Sequence, residues 1–169
     1  MKNEKVHIID DVFDDNTVQE ILEFATQNVP SNWTLKELGK DEVPNVIQKM
    51  YDYAATLYDL SHAKYLEFWK HENTRPDWHY DQDEVWYMRT NQHKFPLNTI
   101  IYYPKIENLV GGDFVTDSIR ITPKTNRMVI LSPGIYHRVE PFESGFRMSF
   151  NINPWSNKIA TTDLTHNKG

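Results

Sequence analysis

The chain has 169 residues, of which 39% are hydrophobic and none is cysteine, and its formal net charge at pH 7 is −6. This length suits one domain with a single core, and the lack of cysteine excludes disulfides, thiolate zinc sites, iron–sulfur clusters and cysteine nucleophiles. The negative charge disfavours a nucleic-acid partner, because sequence-independent affinity for a polyphosphate comes mostly from Lys and Arg.

The N-terminal stretch MKNEKVHIIDD carries charges where a secretory signal peptide needs an apolar segment. The longest apolar runs in the rest of the chain are only a few residues, too short to cross a membrane. We therefore expect a cytoplasmic protein without a membrane partner. Within this stretch, VHIID predicts a short strand.

Two amphipathic helices are predicted between this strand and residue 64. The first covers residues 14–27, and Thr17 with Glu20 matches a capping box. The second begins near Pro44, which suits a first helical position, and continues to about Leu60. The apolar faces comprise Val18, Ile21, Leu22 and Ala25 in the first helix, and Ile47, Met50, Ala54 and Leu57 in the second. We interpret both helices as packing elements without chemistry of their own.

From Tyr65 onward, short runs of β-branched and aromatic residues alternate with turn signals. These signals are NTRPD, NQHKFP, VGGD, TPKTN, LSPG and FESG. Such punctuation indicates an antiparallel sandwich or barrel over residues 65–155. The whole chain, 1–169, is then one domain, with the strand and helices in residues 1–64 and a polar tail in residues 156–169. The sequence GGDF is interpreted as a Gly-Gly turn between strands.

The stretch WHYDQDE places His79 and Asp81 two residues apart. With 7 His and 24 acidic residues in the chain, one such pair is expected by chance, so the pair alone is a weak signal. On a strand both side chains would share one face, with Cα atoms roughly 6.6 Å apart. They would then form two-thirds of the two-His-one-carboxylate arrangement that leaves open positions on Fe(II).

The best-placed second histidine is His137, which follows the apolar run RMVIL and a Ser-Pro-Gly turn. There His137 and Val139 would face inward, while Arg138 and Glu140 would face outward. Ten residues later, the stretch FRMSFNINPW alternates between apolar and polar side chains. One face comprises Met148, Phe150 and Ile152, and the other comprises Arg147, Ser149, Asn151 and Asn153. A buried guanidinium needs a partner, and a dicarboxylate cosubstrate would supply one.

This combination of residues resembles the Fe(II)- and 2-oxoglutarate-dependent oxygenases, particularly their prolyl-hydroxylase-like branch. The shared pattern is His79-x-Asp81, then His137, then Arg147-x-Ser149, in that order and with similar spacing. The stretch NTIIYYPKIENLVGGDF between the ligands is also similar to that branch. The resemblance covers roughly residues 65–155. It implies a mainly β (α+β) double-stranded β-helix, a cupin-like jelly roll, with the N-terminal helices packed outside.

Carried over residue by residue, the resemblance implies a role for each matched position. The metal ligands to Fe(II) would be His79, Asp81 and His137, and the cosubstrate-binding residues would be Arg147, Ser149, Tyr103 and Thr99. Arg147 would bind the distal carboxylate of 2-oxoglutarate with help from Ser149, and the Tyr103 hydroxyl would contact the same carboxylate. Thr99 and Tyr103 share one face of their strand. The adjacent Tyr102 leaves a register shifted by one residue open.

The implied activity converts 2-oxoglutarate and O2 to succinate and CO2 while a substrate is oxidised. A prolyl or similar peptide residue is the expected substrate, with a small molecule as the alternative. Asp81 stands where halogenating relatives lack the carboxylate, which favours hydroxylation. Asn153 stands where nucleic-acid repair relatives usually carry a second Arg, which disfavours nucleic acid. Ascorbate is a further cofactor that the resemblance allows.

Two other functions stay open on the sequence alone. A non-catalytic, cupin-like jelly-roll module would bind a carboxylate or sugar ligand without turnover. A zinc hydrolase with the same three ligands would need a base near the metal-bound water, and Glu84 is the nearest candidate in sequence. No heptad or exposed apolar stripe stands out, so the oligomeric state also stays open.

The side chains around WHYDQDE each have two interpretations. Those that either pack at the rim or line the substrate entrance are Trp78, Trp86, Tyr87 and Arg89. Asp83 and Glu84 are predicted in a solvated loop, with the attraction of a cationic substrate as the alternative. Histidines without a spacing partner are predicted at the surface, namely His7, His62, His71, His93 and His166.

Overall fold

The computed structural model describes residues 5–27 and 33–160. Within these ranges the helices are α1 (Asp15–Thr26), α2 (Asn45–Ala55) and α3 (Glu84–Thr90). The strands are β1 (Val6–Ile9), β2 (Thr34–Glu37), β3 (Tyr65–Glu72), β4 (Thr99–Gly111), β5 (Phe114–Thr116), β6 (Arg120–Ile121), β7 (Arg127–Leu131), β8 (His137–Val139) and β9 (Phe142–Trp155). No helix in the described part is long and apolar enough to span a membrane.

The strands form two antiparallel sheets. The larger sheet has the order β1-β7-β4-β9-β3-β2, and the smaller has the order β6-β5-β8. Neighbouring strands that are distant in sequence, such as β3 beside β9, are typical of a jelly roll and not of a simple meander. The predicted antiparallel β architecture is therefore confirmed, and it brings the two segments that carry the candidate ligands to one side of the larger sheet.

Alternation along β4 divides the core into two clusters. Ile100 and Tyr102 are buried against α1 and α2, together with Ile21 and Ile47 from those helices. The inward cluster between the two sheets comprises Ile101, Tyr103, Phe114, Ile121, Val129, Leu131 and Ile135. Successive residues of a strand point to opposite faces, so the inward position of Tyr103 and the outward position of Tyr102 follow from one register. The predicted parity is confirmed.

Both predicted helices exist, but their ends differ from the prediction. The cap of α1 is Asp14, whose carboxylate accepts a hydrogen bond of 2.8 Å from the Thr17 N–H. Thr17 therefore lies in the first turn, and the predicted Thr17–Glu20 capping box is wrong. Helix α2 ends at Ala55, Leu57 is exposed, and Leu60 reaches the core from the turn that follows. The apolar pattern of the sequence extends beyond the end of α2, because Leu60 in the following turn is also buried.

The end of the described chain is packed against the domain. Ile159 is buried, and the Ala160 N–H donates to Asp83. The first residues of the predicted polar tail are therefore held in place, while residues 161–169 lie outside the described residues.

Gly145 lies within β9, opposite an irregularity in the pairing of β9 with β4. Its φ is +96°, and a Cβ atom there would lie 2.3 Å from the Asn108 carbonyl oxygen. We expect Gly145→Ala to reduce the free energy of unfolding by about 3 kcal/mol, from backbone strain plus overlap. Gly39→Ala is the matched control, because Gly39 has φ +82° but no heavy atom within 4 Å of the added Cβ. At Gly39, backbone strain alone should lower the free energy of unfolding by about 1 kcal/mol. Equal losses for the two variants in urea unfolding would contradict the overlap between the added Cβ and Asn108.

Candidate metal centre and its cavity

The three predicted ligands meet at one point beside the smaller sheet. His79 lies after β3 and pairs through its backbone with His137, the first residue of β8. One ligand atom from each of His79, Asp81 and His137 lies within 4.8 Å of the other two. The Nε2 atoms of His79 and His137 are 3.6 Å and 3.9 Å from the two oxygens of Asp81. This donor set matches the two-His-one-carboxylate arrangement that suits Fe(II).

Hydrogen bonds orient all three ligands. The Nδ1 atom of His79 is 2.6 Å from the Asp77 carbonyl, and that of His137 is 2.8 Å from the Ile135 carbonyl. A carbonyl only accepts, so each Nδ1 carries the proton and each Nε2 keeps its lone pair for a metal. The Thr99 hydroxyl donates to Asp81 over 2.9 Å. The residues present therefore fit a divalent metal ion.

The electrostatics of the cluster favour a charged carboxylate between imidazoles. Burial acts to raise the pKa of Asp81, but the neighbouring His79 and His137 lower it below its ordinary value. Burial lowers the pKa of His137, which favours the neutral, metal-binding ring. Burial also acts to lower the pKa of His79, but the adjacent Asp81 carboxylate and the hydrogen bond to the Asp77 carbonyl outweigh burial and raise it.

These ligands line a cavity of about 280 Å³. Its polar lining comes mainly from the inward faces of β3 and β9. The lining residues outside the metal cluster are Glu67, Trp69, His71, Pro76, Tyr80, Gln82, Glu84, Ile101, Phe114, Val139, Arg147, Ser149, Asn151 and Asn153. The alternating pattern of β9 predicted its four inward polar residues, and all four lie in the cavity wall.

Arg147 is a buried cation without a countercharge. Its side chain is 2% exposed, and its Nε has no hydrogen-bond partner. The guanidinium lies 5.2 Å from the centre of the Tyr103 ring, with one terminal nitrogen 3.5 Å from the Tyr103 hydroxyl. Within residues 5–27 and 33–160, Arg147 forms no ion pair with an acid. A buried guanidinium open to a cavity favours an anionic ligand.

The remaining predicted cosubstrate residues occupy different positions. Ser149 is buried in the cavity wall, and its hydroxyl lies 3.4 Å from Asn151 Oδ1. Tyr103 lies beneath Arg147, and burial raises the pKa of its phenol. Thr99 does not line the cavity and instead supports Asp81. A direct contact between the cosubstrate and any of these three residues stays a prediction.

The inward residues of β3 were not predicted to be part of the site. His71 was predicted at the surface, but it lines the cavity, where the Trp69 Nε1 donates to its Nε2 over 2.5 Å. Burial lowers the pKa of His71 to about 4. Glu67 lies on the same face and was not considered. The run YLEFWKHE alternates in a way that places Glu67, Trp69 and His71 together, so a signal was present.

Glu67 is a buried carboxylate that accepts three neutral N–H groups. Its oxygens accept hydrogen bonds from Trp33 Nε1, from Trp155 Nε1 at 2.8 Å and from Asn153 Nδ2 at 3.3 Å. Burial raises the pKa of Glu67 from 4.5 to about 7, and the N–H donors only partly oppose it. A carboxyl group with this pKa changes its charge near neutral pH.

This raised pKa predicts a pH dependence of stability. Folded Glu67 holds a proton that the unfolded chain releases above about 4.5, so its contribution is complete below that pH and is lost as pH rises through about 7. We expect this group to lower the unfolding free energy of the wild type by roughly 3 kcal/mol between about pH 5 and about pH 8. Glu67→Gln should lack this component.

Urea unfolding at several pH values tests the expectation, with Glu72→Gln as the matched control. Glu72 lies on the same strand but is exposed and paired with Lys70. The slope of stability against pH is the informative quantity, since the amide also loses a hydrogen bond at every pH. Parallel curves for the wild type and Glu67→Gln would contradict the raised pKa.

The segment after the metal ligands is helical, which the sequence analysis did not predict. Asp83, expected in a solvated loop, is fully buried and caps α3 by accepting from the Trp86 N–H. Its other oxygen accepts from the Ala160 N–H over 2.6 Å. A buried capping carboxylate cannot be told from a loop acid by local pattern, because its second partner is 77 positions away. Glu84, by contrast, is exposed and contributes to the cavity wall.

The aromatic residues around the motif lie outside the cavity wall. None of Trp78, Trp86, Tyr87 and Arg89 lines it. Trp78 stacks on Tyr136 with ring centres 5.3 Å apart, so packing is its role here. The histidines that are exposed, as predicted, are His7, His62 and His93, whereas His166 lies outside the described residues.

No protein-family model matches the sequence, and no curated protein matches it significantly. Among solved structures, the viral collagen prolyl hydroxylase of Paramecium bursaria Chlorella virus-1, in a complex with 2OG, has a TM-score of 0.62 at 17% identity. That match covers 90% of this chain and 96% of the viral one.

Two further solved structures show the same likeness. A prolyl-4-hydroxylase from Pseudomonas putida has a TM-score of 0.62 at 14% identity, covering 90% of this chain and 87% of its own. A prolyl hydroxylase from Trichoplax adhaerens, in complex with a hypoxia inducible factor peptide fragment, has a TM-score of 0.55 at 14% identity, covering 97% and 87%. The predicted resemblance is confirmed at the level of the fold: this chain has the fold of the prolyl hydroxylases and related 2OG-Fe(II) oxygenases.

Proposed function

We propose that the protein is an Fe(II)- and 2-oxoglutarate-dependent dioxygenase that hydroxylates a prolyl or similar residue of a peptide, yielding succinate and CO2 from 2-oxoglutarate and O2. One observation carries this proposal: the three clustered metal ligands and the unpaired Arg147 line the same cavity. A metal-binding cluster alone fits many activities. A buried cation in the same cavity adds a requirement for an anionic ligand, which a dicarboxylate cosubstrate satisfies.

The chain's own residues would bind and orient the reactants. His79, Asp81 and His137 would hold Fe(II), which together with 2-oxoglutarate and O2 supplies the oxidising chemistry. Thr99 keeps Asp81 oriented through its hydroxyl. Arg147 would pair with a carboxylate of 2-oxoglutarate, and the Tyr103 hydroxyl, which burial keeps protonated, would donate to the same group.

The proposal of a peptide substrate is supported by one of the solved structures that share this fold. The Trichoplax adhaerens prolyl hydroxylase was solved with a peptide fragment, and this chain shares its fold. A screen of proline-containing peptides and free amino acids for substrate-stimulated succinate release tests the idea. Stimulation by peptides supports it, and stimulation by free amino acids alone would exclude it.

The class of reaction is tested by anaerobic titration of Fe(II) and then 2-oxoglutarate into the metal-free protein. We expect a weak visible absorption band that requires both additions, because chelation of a keto acid by iron produces a charge-transfer transition. A band with iron alone, or no band in protein that is folded and metal-loaded, would overturn the proposal. A jelly-roll module that only binds a ligand predicts the second outcome.

A further inference from the structure

Glu67 in its ionised form is an anion without a countercharge, as Arg147 is a cation without one. In the described ranges, no Lys, Arg or His nitrogen forms an ion pair with Glu67. Its three hydrogen-bond donors are neutral N–H groups, and the side chain is 9% exposed. Three donors orient both oxygens as acceptors but do not neutralise the charge. Burying such a carboxylate is costly unless a cation completes the site.

Asn153 adds a second free acceptor beside Glu67. The residue is 1% exposed, and its Nδ2 donates to Glu67. Its Oδ1 is buried and has no hydrogen-bond partner. Both residues line the cavity. This end of the cavity therefore offers a carboxylate and an amide oxygen, which only a ligand rich in N–H or O–H donors could satisfy together.

The strand register places these acceptors level with the metal cluster. Glu67 pairs with Asn153, and the pairing of Ile100 with Ile152 puts Thr99, the residue that holds Asp81, opposite Asn153. Glu67 is thus two strand spacings, roughly 10 Å, from Thr99 along one cross-strand row. Arg147 lies six positions before Asn153 on β9, which is roughly 20 Å along the strand. The group that meets Glu67 therefore belongs to a different ligand from the one that pairs with Arg147.

The surroundings of Glu67 favour a cation over a neutral donor. Trp69, two residues along the same face of β3, also lines the cavity and offers an aromatic surface to an ammonium group. Glu84 adds a negative charge to the cavity wall. A cavity lined with carboxylates raises the local concentration of cations and speeds their capture.

We propose that Glu67 and Asn153 bind a protonated amine of the primary substrate, so that the oxidised carbon lies within a few bonds of an ammonium nitrogen. This inference rests on the proposed function and narrows it. An internal prolyl nitrogen has no N–H and no charge. The N-terminal residue of a peptide or a side-chain amine has both. Glu67 is accordingly a specificity-determining residue, and it takes no part in the reaction itself.

The test uses probe pairs in which acetylation removes the charge and N–H donors of the amine. L-prolinamide is compared with N-acetyl-L-prolinamide, and butylamine with N-butylacetamide. Each is titrated calorimetrically into anaerobic protein saturated with Fe(II) and 2-oxoglutarate, and into metal-free protein. We expect at least one amine to bind the wild type about tenfold or more tightly than its acetylated partner. The preference should disappear in Glu67→Gln and persist in Glu72→Gln.

Equal binding within both pairs, no binding of any probe, or a preference that survives Glu67→Gln would each overturn the inference. If Glu67→Gln does not fold, Asn153→Ser removes the free acceptor and should reduce the same ratio. The two proposals fail separately. A normal iron–2-oxoglutarate band without amine preference excludes the role of Glu67 alone. Amine preference without the band excludes the dioxygenase and leaves an amine-binding site at Glu67.

Discussion

Replacing Arg147 with methionine is expected to stabilise the ligand-free protein while abolishing the stabilisation that 2-oxoglutarate gives to the iron-loaded wild type. The guanidinium is buried and unpaired, so the free protein carries a desolvation cost that no countercharge offsets. Removing a charge of this kind should raise the free energy of unfolding by about 1–3 kcal/mol. Loss of the charge pair should weaken 2-oxoglutarate binding at least about thirtyfold, or about 2 kcal/mol.

Thermal unfolding with and without 2-oxoglutarate measures both effects in one experiment, since a ligand that binds only the folded state raises the midpoint. Arg120→Met is the matched control, because Arg120 is exposed and paired with Glu140. It should leave the response to 2-oxoglutarate unchanged. A less stable Arg147→Met protein that still responds to 2-oxoglutarate would contradict the role of Arg147. Opposite signs for stability and binding are difficult to explain by general damage to the fold.

Asp81→Ala is expected to eliminate turnover and to weaken Fe(II) binding by more than about a hundredfold. Changes to residues that merely support metal ligands cost 10–100-fold, so removing the only carboxylate ligand should exceed that range. The fold should persist, because the polar partners of Asp81 are Thr99 and the two other ligands of the cluster. Metal affinity by competition with a chromophoric chelator, together with succinate release, provides the measurement.

Asp117→Ala removes an exposed carboxylate from the turn after β5 and is the control for this change. The variant also separates the alternatives that the sequence leaves open. A module that binds a carboxylate or sugar without turnover would keep its ligand after Asp81→Ala. Retained binding in a folded, metal-free variant would therefore favour the binding module over the dioxygenase.

The cavity-facing side of β9 could be predicted because that strand alternates strictly, whereas His79 and Asp81 lie outside the strands, between β3 and α3. FRMSFNINPW places Arg147 and Ser149 on one face, and the structure has that face in the cavity. The ligand triad could be predicted from order and spacing, although nothing local shows that His79 and His137 pair through their backbones. That pairing is a property of the sheet topology, which residue patterns do not encode directly.

Asp83 and Glu67 were not predicted correctly because their partners are distant in sequence. Asp83 is buried because its carboxylate accepts from the Ala160 N–H as well as from the first turn of α3. Glu67 is explained only when Trp33, Trp155 and Asn153 surround it. When the partners of a side chain come from several helices and strands, the periodicity of its own segment does not reveal those partners.

The backbone pairing of His79 with His137 has a consequence for how an ion would enter and leave. Each amide donates to the other's carbonyl, at 2.9 Å and 3.0 Å, so backbone hydrogen bonds join the two histidines independently of their rings. Bringing together segments 58 positions apart (137 minus 79) costs roughly 3–4 kcal/mol of loop entropy. This cost belongs to folding and not to metal binding. The ion need not organise the chain, so metal exchange can proceed on the folded protein at a rate set by ligand dissociation.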